Sequence, residues 1–197
     1  MKKLLIAAAL SLACLGTQAA SPFVTRTGST GPGSATNYVV IPSFAGYQAI
    51  LQSVQYRSAT NVGVLGFQSG AGAWTQTATN TTTGVTNQIS STNGLVPGSF
   101  LVLEHAGTGY IAALASLGQA TNGMLTNAVL ASGGWGVAPS VGDSIYQLGT
   151  ASTIPVGLGT NAVNGNCIFA GEPGRPIVVW LGPAGLTNYI SATVEYR

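Results

Sequence analysis

Ile190-Ser191-Ala192-Thr193-Val194-Glu195-Tyr196 is the stretch that decides the fold. Ile190, Ala192, Val194 and Tyr196 fall on one side of an extended chain and Ser191, Thr193 and Glu195 on the other, the period-two pattern of a half-buried strand. An earlier stretch echoes its end: Val54-Gln55-Tyr56-Arg57 resembles Val194-Glu195-Tyr196-Arg197, as adjacent antiparallel strands or equivalent strands would.

Working outward, short runs rich in Val, Ile, Tyr and Thr recur between turn-forming residues. They mark strands at Tyr38 to Ile41, Tyr47 to Tyr56, Val62 to Phe67, Phe100 to Glu104, Tyr110 to Ala115, Ser144 to Leu148, Asn166 to Ala170 and Ile177 to Leu181. With the opening stretch they predict an all-β domain, an antiparallel β-sandwich of the jelly-roll kind. At most two short helices are expected, at Gly109 to Gly118 and Leu125 to Ala131, where Ala and Leu concentrate. Glu172-Pro173-Gly174-Arg175-Pro176 predicts a turn, since proline presets φ and glycine accepts a positive one, and the flanking strands read as a hairpin. Thr-Asn dipeptides are scattered at irregular spacing, so no fixed-period solenoid is expected.

Met1-Lys2-Lys3, the apolar run from Leu4 to Leu15 and the small-residue site Thr17-Gln18-Ala19 have the layout of a secretory leader cleaved after Ala19. The run is shorter than the roughly 20 residues a membrane-spanning helix needs. Ser11-Leu12-Ala13-Cys14 departs from a lipid-attachment box at Ser11 and Leu12, so Cys14 reads as an apolar leader residue. The expected organisation is a leader over 1–19, a flexible Gly/Ser/Thr segment over 20–36 and a single sandwich domain over 37–197. The chain is therefore expected to be exported, to the periplasm, the cell surface or the medium.

Beyond the leader no lysine remains, and Arg26, Arg57, Arg175 and Arg197 balance Glu104, Asp143, Glu172 and Glu195. A chain without net charge has no electrostatic attraction to nucleic acid or anionic lipid, and its copies repel one another weakly, so self-association is expected. Cys167 is the one cysteine past the leader. It is expected to be buried in a core strand, with an intermolecular disulfide as the other option.

Catalytic chemistry has few candidates. His105 is the only histidine, and strand alternation would turn Glu104 and His105 to opposite faces, so the two are not a ready acid and base. Gly142-Asp143-Ser144-Ile145 resembles the Gly-Asp-Ser-Leu block of an esterase family, but no histidine follows Ser144 to take its proton, so the block reads as a turn feeding a strand. No metal-ligand spacing, phosphate loop or dinucleotide fingerprint is present, and no cofactor is expected. Thr75, Thr77, Thr79, Thr81 and Thr83 alternate as a polar exposed row. Trp180, inside an apolar run, is expected in the core, whereas Trp135 and Trp74 sit in glycine-rich surroundings where an indole could stack on a sugar.

The sequence thus predicts a non-enzymatic structural or interaction protein that associates with itself or with another surface protein. The alternative is a carbohydrate-binding module holding a polysaccharide on Trp135 or Trp74. No partner nucleic acid and no membrane span are expected. An outer-membrane barrel fits the leader and the length, but not the Glu195-Tyr196-Arg197 ending or the lack of aromatic girdles.

Overall fold

The structure is a computed structural model that describes residues 24–29, 38–59, 62–77, 85–119, 126–131, 133–183 and 188–197, without the side chains of 24–29, 72–74, 119 and 126. The leader over 1–19 and all but six residues of the adjoining N-terminal stretch up to Tyr38 lie outside the described residues. In chain order the strands are β1 (Val24–Ser29), β2 (Tyr38–Ile41), β3 (Ala49–Ser58), β4 (Gly63–Gln76), β5 (Thr86–Ile89), β6 (Phe100–His105), β7 (Thr108–Gln119), β8 (Thr126–Leu130), β9 (Ser144–Leu148), β10 (Ser152–Val156), β11 (Gly159–Ala170), β12 (Ile177–Gly182) and β13 (Tyr189–Tyr196). They form a β-sandwich of antiparallel sheets: a small sheet in the order β1-β13-β3-β11 and a large one in the order β2-β12-β4-β9-β6-β7-β8-β5, with β10 on β4 beside β9.

The opening stretch is β13, with alternating burial along its length. It runs antiparallel to β3, Ala192 opposite Val54 and Tyr189 opposite Arg57, so the two echoing segments are neighbours in one sheet. Leu51, Val54 and Tyr56 of β3, with Ile190, Ala192, Val194 and Tyr196 of β13, pack against Ile41, Leu65, Phe67, Ile177, Val179 and Leu181 of the large sheet. This is the inter-sheet core.

Four expectations change. Both proposed helices are strands, β7 and β8. Tyr110, Ala112 and Leu114 alternate into a shared apolar cluster, and that burial outweighs the helix propensity of Ala and Leu. Part of the N-terminal stretch is also ordered, since Val24–Ser29 pairs with β13 along its whole length. The turn at Pro173-Gly174 forms, with Gly174 at φ +65°, but it is not a hairpin: β11 pairs with β3 and β12 with β2 and β4, so it carries the chain between sheets. Thr75 and Thr77 are buried, not exposed, while Thr79, Thr81 and Thr83 of the same row lie outside the described residues.

The large sheet has apolar residues on both faces. A second cluster joins Leu101, Leu103, Ala112, Leu114 and Ile145 to Ile89, Ala128, Leu130 and Trp135, because the far half of β7 curls over with β8 and β5. Strand alternation puts this cluster on the same surface of the sheet as the inter-sheet core. Val102, Leu148 and Val178 point the other way and are nonetheless at most 8% exposed, packed with Tyr38, Val40, Ile111 and Trp180. All seven come from the large sheet, so the sheet must cover its own face.

It does so by rolling up. β2 and β7 are separated by four strands in the sheet order, yet they touch. A Cβ built on Gly109 of β7 would lie 2.1 Å from Val40 Cγ1 of β2, and Tyr38 takes a hydrogen bond from the backbone of Ile111. The order β2-β12-β4-β9-β6-β7 is therefore a small rolled barrel, closed between β2 and β7 by side-chain contact. Burying a Val or Leu in such a lumen contributes about 1.5–3 kcal/mol each.

Candidate functional site

The two ends of the rolled sheet differ. At one end Ser43, just past β2, is clasped by Glu104: its N–H donates to Oε1, and its Oγ donates to Oε2 at 2.7 Å. Tyr146 Oη lies 3.3 Å from Ser43 Oγ, and the Arg175 guanidinium stands 5.2 Å from the centre of the Tyr146 ring. Here a carboxylate accepts bonds from a backbone N–H and a hydroxyl, charge-assisted contacts that hold the β2–β3 connection onto β6.

At the other end lies a cleft of about 410 Å³ lined by Tyr38, Gln68, Phe100, Ile111, Leu148, Ala151, Val178 and Trp180. Tyr38 and Trp180 are directly paired across β2 and β12. Trp180 lies against Gly66 of β4, where a Cβ would come within 2.1 Å of its ring, so only glycine leaves room for the indole. Burial pushes the Tyr38 hydroxyl above its ordinary pKa, while the Ile111 hydrogen bond opposes the shift. Gln68 Nε2 donates to the Gly149 carbonyl at 2.8 Å. Phe100 stands at the rim, 53% exposed. A second cavity of about 350 Å³ lies between the β9–β10 and β11–β12 connections. Polar groups at its wall are already engaged, Gln48 Nε2 on the Gly171 carbonyl at 2.8 Å and the Glu172 N–H on Ser69 Oγ at 2.9 Å.

His105 ends β6 and meets Asp143, its Nδ1 2.7 Å from Oδ2. Asp143 Oδ2 also accepts the Ser140 N–H at 2.6 Å. The sequence shows no sign of this pair, since the partners are 38 residues apart and meet only because β6 and β9 are neighbours. A carboxylate that orients an imidazole is half of a nucleophile-activating set. Ser144 does not complete it: it faces Glu104 across the β6–β9 pair, and alternation turns His105 to the opposite surface. Among the described residues no three His, Cys, Asp or Glu side chains gather into a metal site.

The residues singled out from sequence are dispersed. Trp135 is 4% exposed and belongs to the second apolar cluster, so its ring offers no face to a sugar; the glycines around it, with Gly133, Gly134 and Gly136 at positive φ, fold the loop so that the indole turns inward. The Trp74 side chain lies outside the described residues, although its backbone pairs with Tyr146. Trp180 is half-buried in the rolled sheet, not in the inter-sheet core.

Cys167 is exposed, not buried. The cause is a bulge: Asn164 of β11 pairs with Ser53 of β3 and Phe169 with Leu51, so the residues between them have too few partners and loop outward. β11 itself is the edge of the small sheet. Before the bulge, its residues Gly159 to Asn164 are continuously paired to β3 on one side and have no partner strand among the described residues on the other.

Known proteins offer no guide to these features, as no protein-family model, curated protein or solved structure matches the chain. No helix among the described residues is long and apolar enough to cross a membrane.

Proposed function

We propose that the chain is an exported, non-catalytic structural or interaction protein that works by associating with copies of itself through the β11 edge. The observation that carries this reading is the contrast among the edge strands. Natural sheets blunt their edges with charge, proline or short length. β1 carries Arg26, β10 carries Pro155 and β5 has four residues. The paired half of β11, Gly159-Thr160-Asn161-Ala162-Val163-Asn164, has neither charge nor proline. Leu158, immediately before its start, is an exposed apolar side chain at 60%, and the balanced charge of residues 20–197 opposes no approach. Antiparallel pairing of β11 with its copy would extend the small sheet across a two-fold axis.

The test is the solution mass of residues 20–197 by size exclusion with light scattering, for the native sequence and for the Asn161→Lys/Asn164→Lys variant. A multimer that the two lysines dissolve supports the reading. A native monomer at all concentrations, or a multimer indifferent to the lysines, removes it. Repeating the measurement with reductant tells whether Cys167 contributes a disulfide between copies.

A further inference from the structure

We propose that the open end of the rolled sheet is a binding cleft for a small, uncharged, planar apolar molecule bearing one hydrogen-bond acceptor. This site is separate from the β11 edge and stands or falls without it. Its volume, about 410 Å³, lies within the range of about 300–1,000 Å³ typical of small-molecule sites, and the mouths of β-barrels are among their usual places. The Ser43 and Glu104 clasp stands at the opposite end of the rolled sheet.

The lining dictates the ligand class. Among the described residues no group that is charged at neutral pH lines the cleft, so a charged ligand would lose its hydration without gaining a counter-charge from them. Tyr38, Phe100 and Trp180 supply aromatic walls, which favour the face or edge of a flat ring. Trp180 is held in place against Gly66, so that wall is formed before any ligand arrives. Phe100 leaves half its surface in water at the rim, and a bound molecule would cover it. Polar groups are few: the Tyr38 hydroxyl, which takes a hydrogen bond from the backbone of Ile111 and keeps its own O–H to donate to an acceptor on the ligand, the Gln68 amide, and the buried Trp180 Nε1–H, which has no partner among the described residues. The Gln68 amide nitrogen is occupied by Gly149.

Equilibrium dialysis of residues 20–197 against naphthalene and 2-acetylnaphthalene tests the site, the second probe differing by one carbonyl acceptor. Both should bind saturably with one molecule per chain. Phe100→Ser, at an exposed position that folding does not need, should weaken both several-fold, and Ala151→Trp, which fills the cleft, should abolish both while circular dichroism shows an unchanged fold. Tyr38→Phe should weaken 2-acetylnaphthalene by about three- to ten-fold, the worth of one hydrogen bond, and leave naphthalene unchanged. Absence of saturable uptake up to the solubility of the probes, or uptake indifferent to Phe100→Ser, overturns the site. An equal effect of Tyr38→Phe on both probes overturns the acceptor.

Discussion

Gly109→Ala is the sharpest test of the rolled sheet, because the closure between β2 and β7 depends on a missing side chain. A Cβ at 109 would stand 2.1 Å from Val40 Cγ1 and 2.6 Å from Val40 Cβ, where carbon atoms need about 3.5–4.0 Å. Rotating Val40 moves Cγ1 but not Cβ, so β2 itself must retreat by about an ångström. Overpacking of this kind costs about 1–3 kcal/mol, and the retreat also stretches the hydrogen bond from Ile111 to Tyr38, worth about 1 kcal/mol. The sum, about 2–4 kcal/mol, corresponds to a fall in Tm of roughly 5–15 °C for a domain of this size. Val40→Gly removes the clashing atoms at its own cost of about 1–3 kcal/mol in lost burial and strand entropy. Thermal unfolding followed by circular dichroism on the four proteins of the cycle decides the matter. If the two strands touch as described, the double variant is less destabilised than the sum of the singles by about the whole penalty of Gly109→Ala. Additive losses would mean that the two residues do not meet, and the rolled sheet would be wrong.

Other consequences are read from single substitutions and from pH. The folded state holds the Tyr38 proton more tightly than the unfolded chain does, so stability is intact below about pH 10 and falls as pH rises above that ordinary tyrosine pKa, and Tyr38→Phe should remove part of this alkaline loss in a pH series of urea midpoints. Ala106, at φ +49° beside Gly107 in the two-residue β6–β7 loop, is strained, and Ala106→Asn should stabilise the chain by about 0.5–1 kcal/mol, with a destabilised variant counting against the turn geometry. Trp135→Ala should cost about 3–5 kcal/mol of unfolding free energy, as removal of a core aromatic does, where a surface platform would cost almost nothing. Val178→Thr and Val179→Thr should each cost about 1–3 kcal/mol, since a buried hydroxyl replaces a methyl on either face; a neutral Val178→Thr would place that face in water.

The parts of the fold legible in the sequence are those where one face is buried and the other is wet. β13 shows clean alternation, and β2 and β9 begin and end where their apolar and turn residues indicate. β11 was legible only in its second half, Asn166 to Ala170, since Thr160-Asn161 and Asn164-Gly165 carry loop chemistry. Its first half is extended because β3 offers it a ladder, a contact between distant residues that no local pattern encodes. The same long-range pairing joins His105 to Asp143 and pushes Cys167 into solvent, and both escaped sequence reasoning for that reason.

The candidate cleft left a subtler trace. Ile177-Val178-Val179-Trp180-Leu181 and Leu101-Val102-Leu103 are unbroken apolar runs in an antiparallel protein, where a sheet with one wet face should alternate. Unbroken runs mean burial on both faces. In β12 the odd residues Ile177, Val179 and Leu181 enter the inter-sheet core, while Val178 and Trp180 enter the lumen. A sheet covered by a partner on one face can bury the other only by folding on itself, and Gly66 and Gly109 mark the two places where that folding needs an absent side chain. The glycines make room for Trp180 and for Val40, and the lumen they permit ends at Tyr38 and Phe100 in an opening that the described residues do not line with charge.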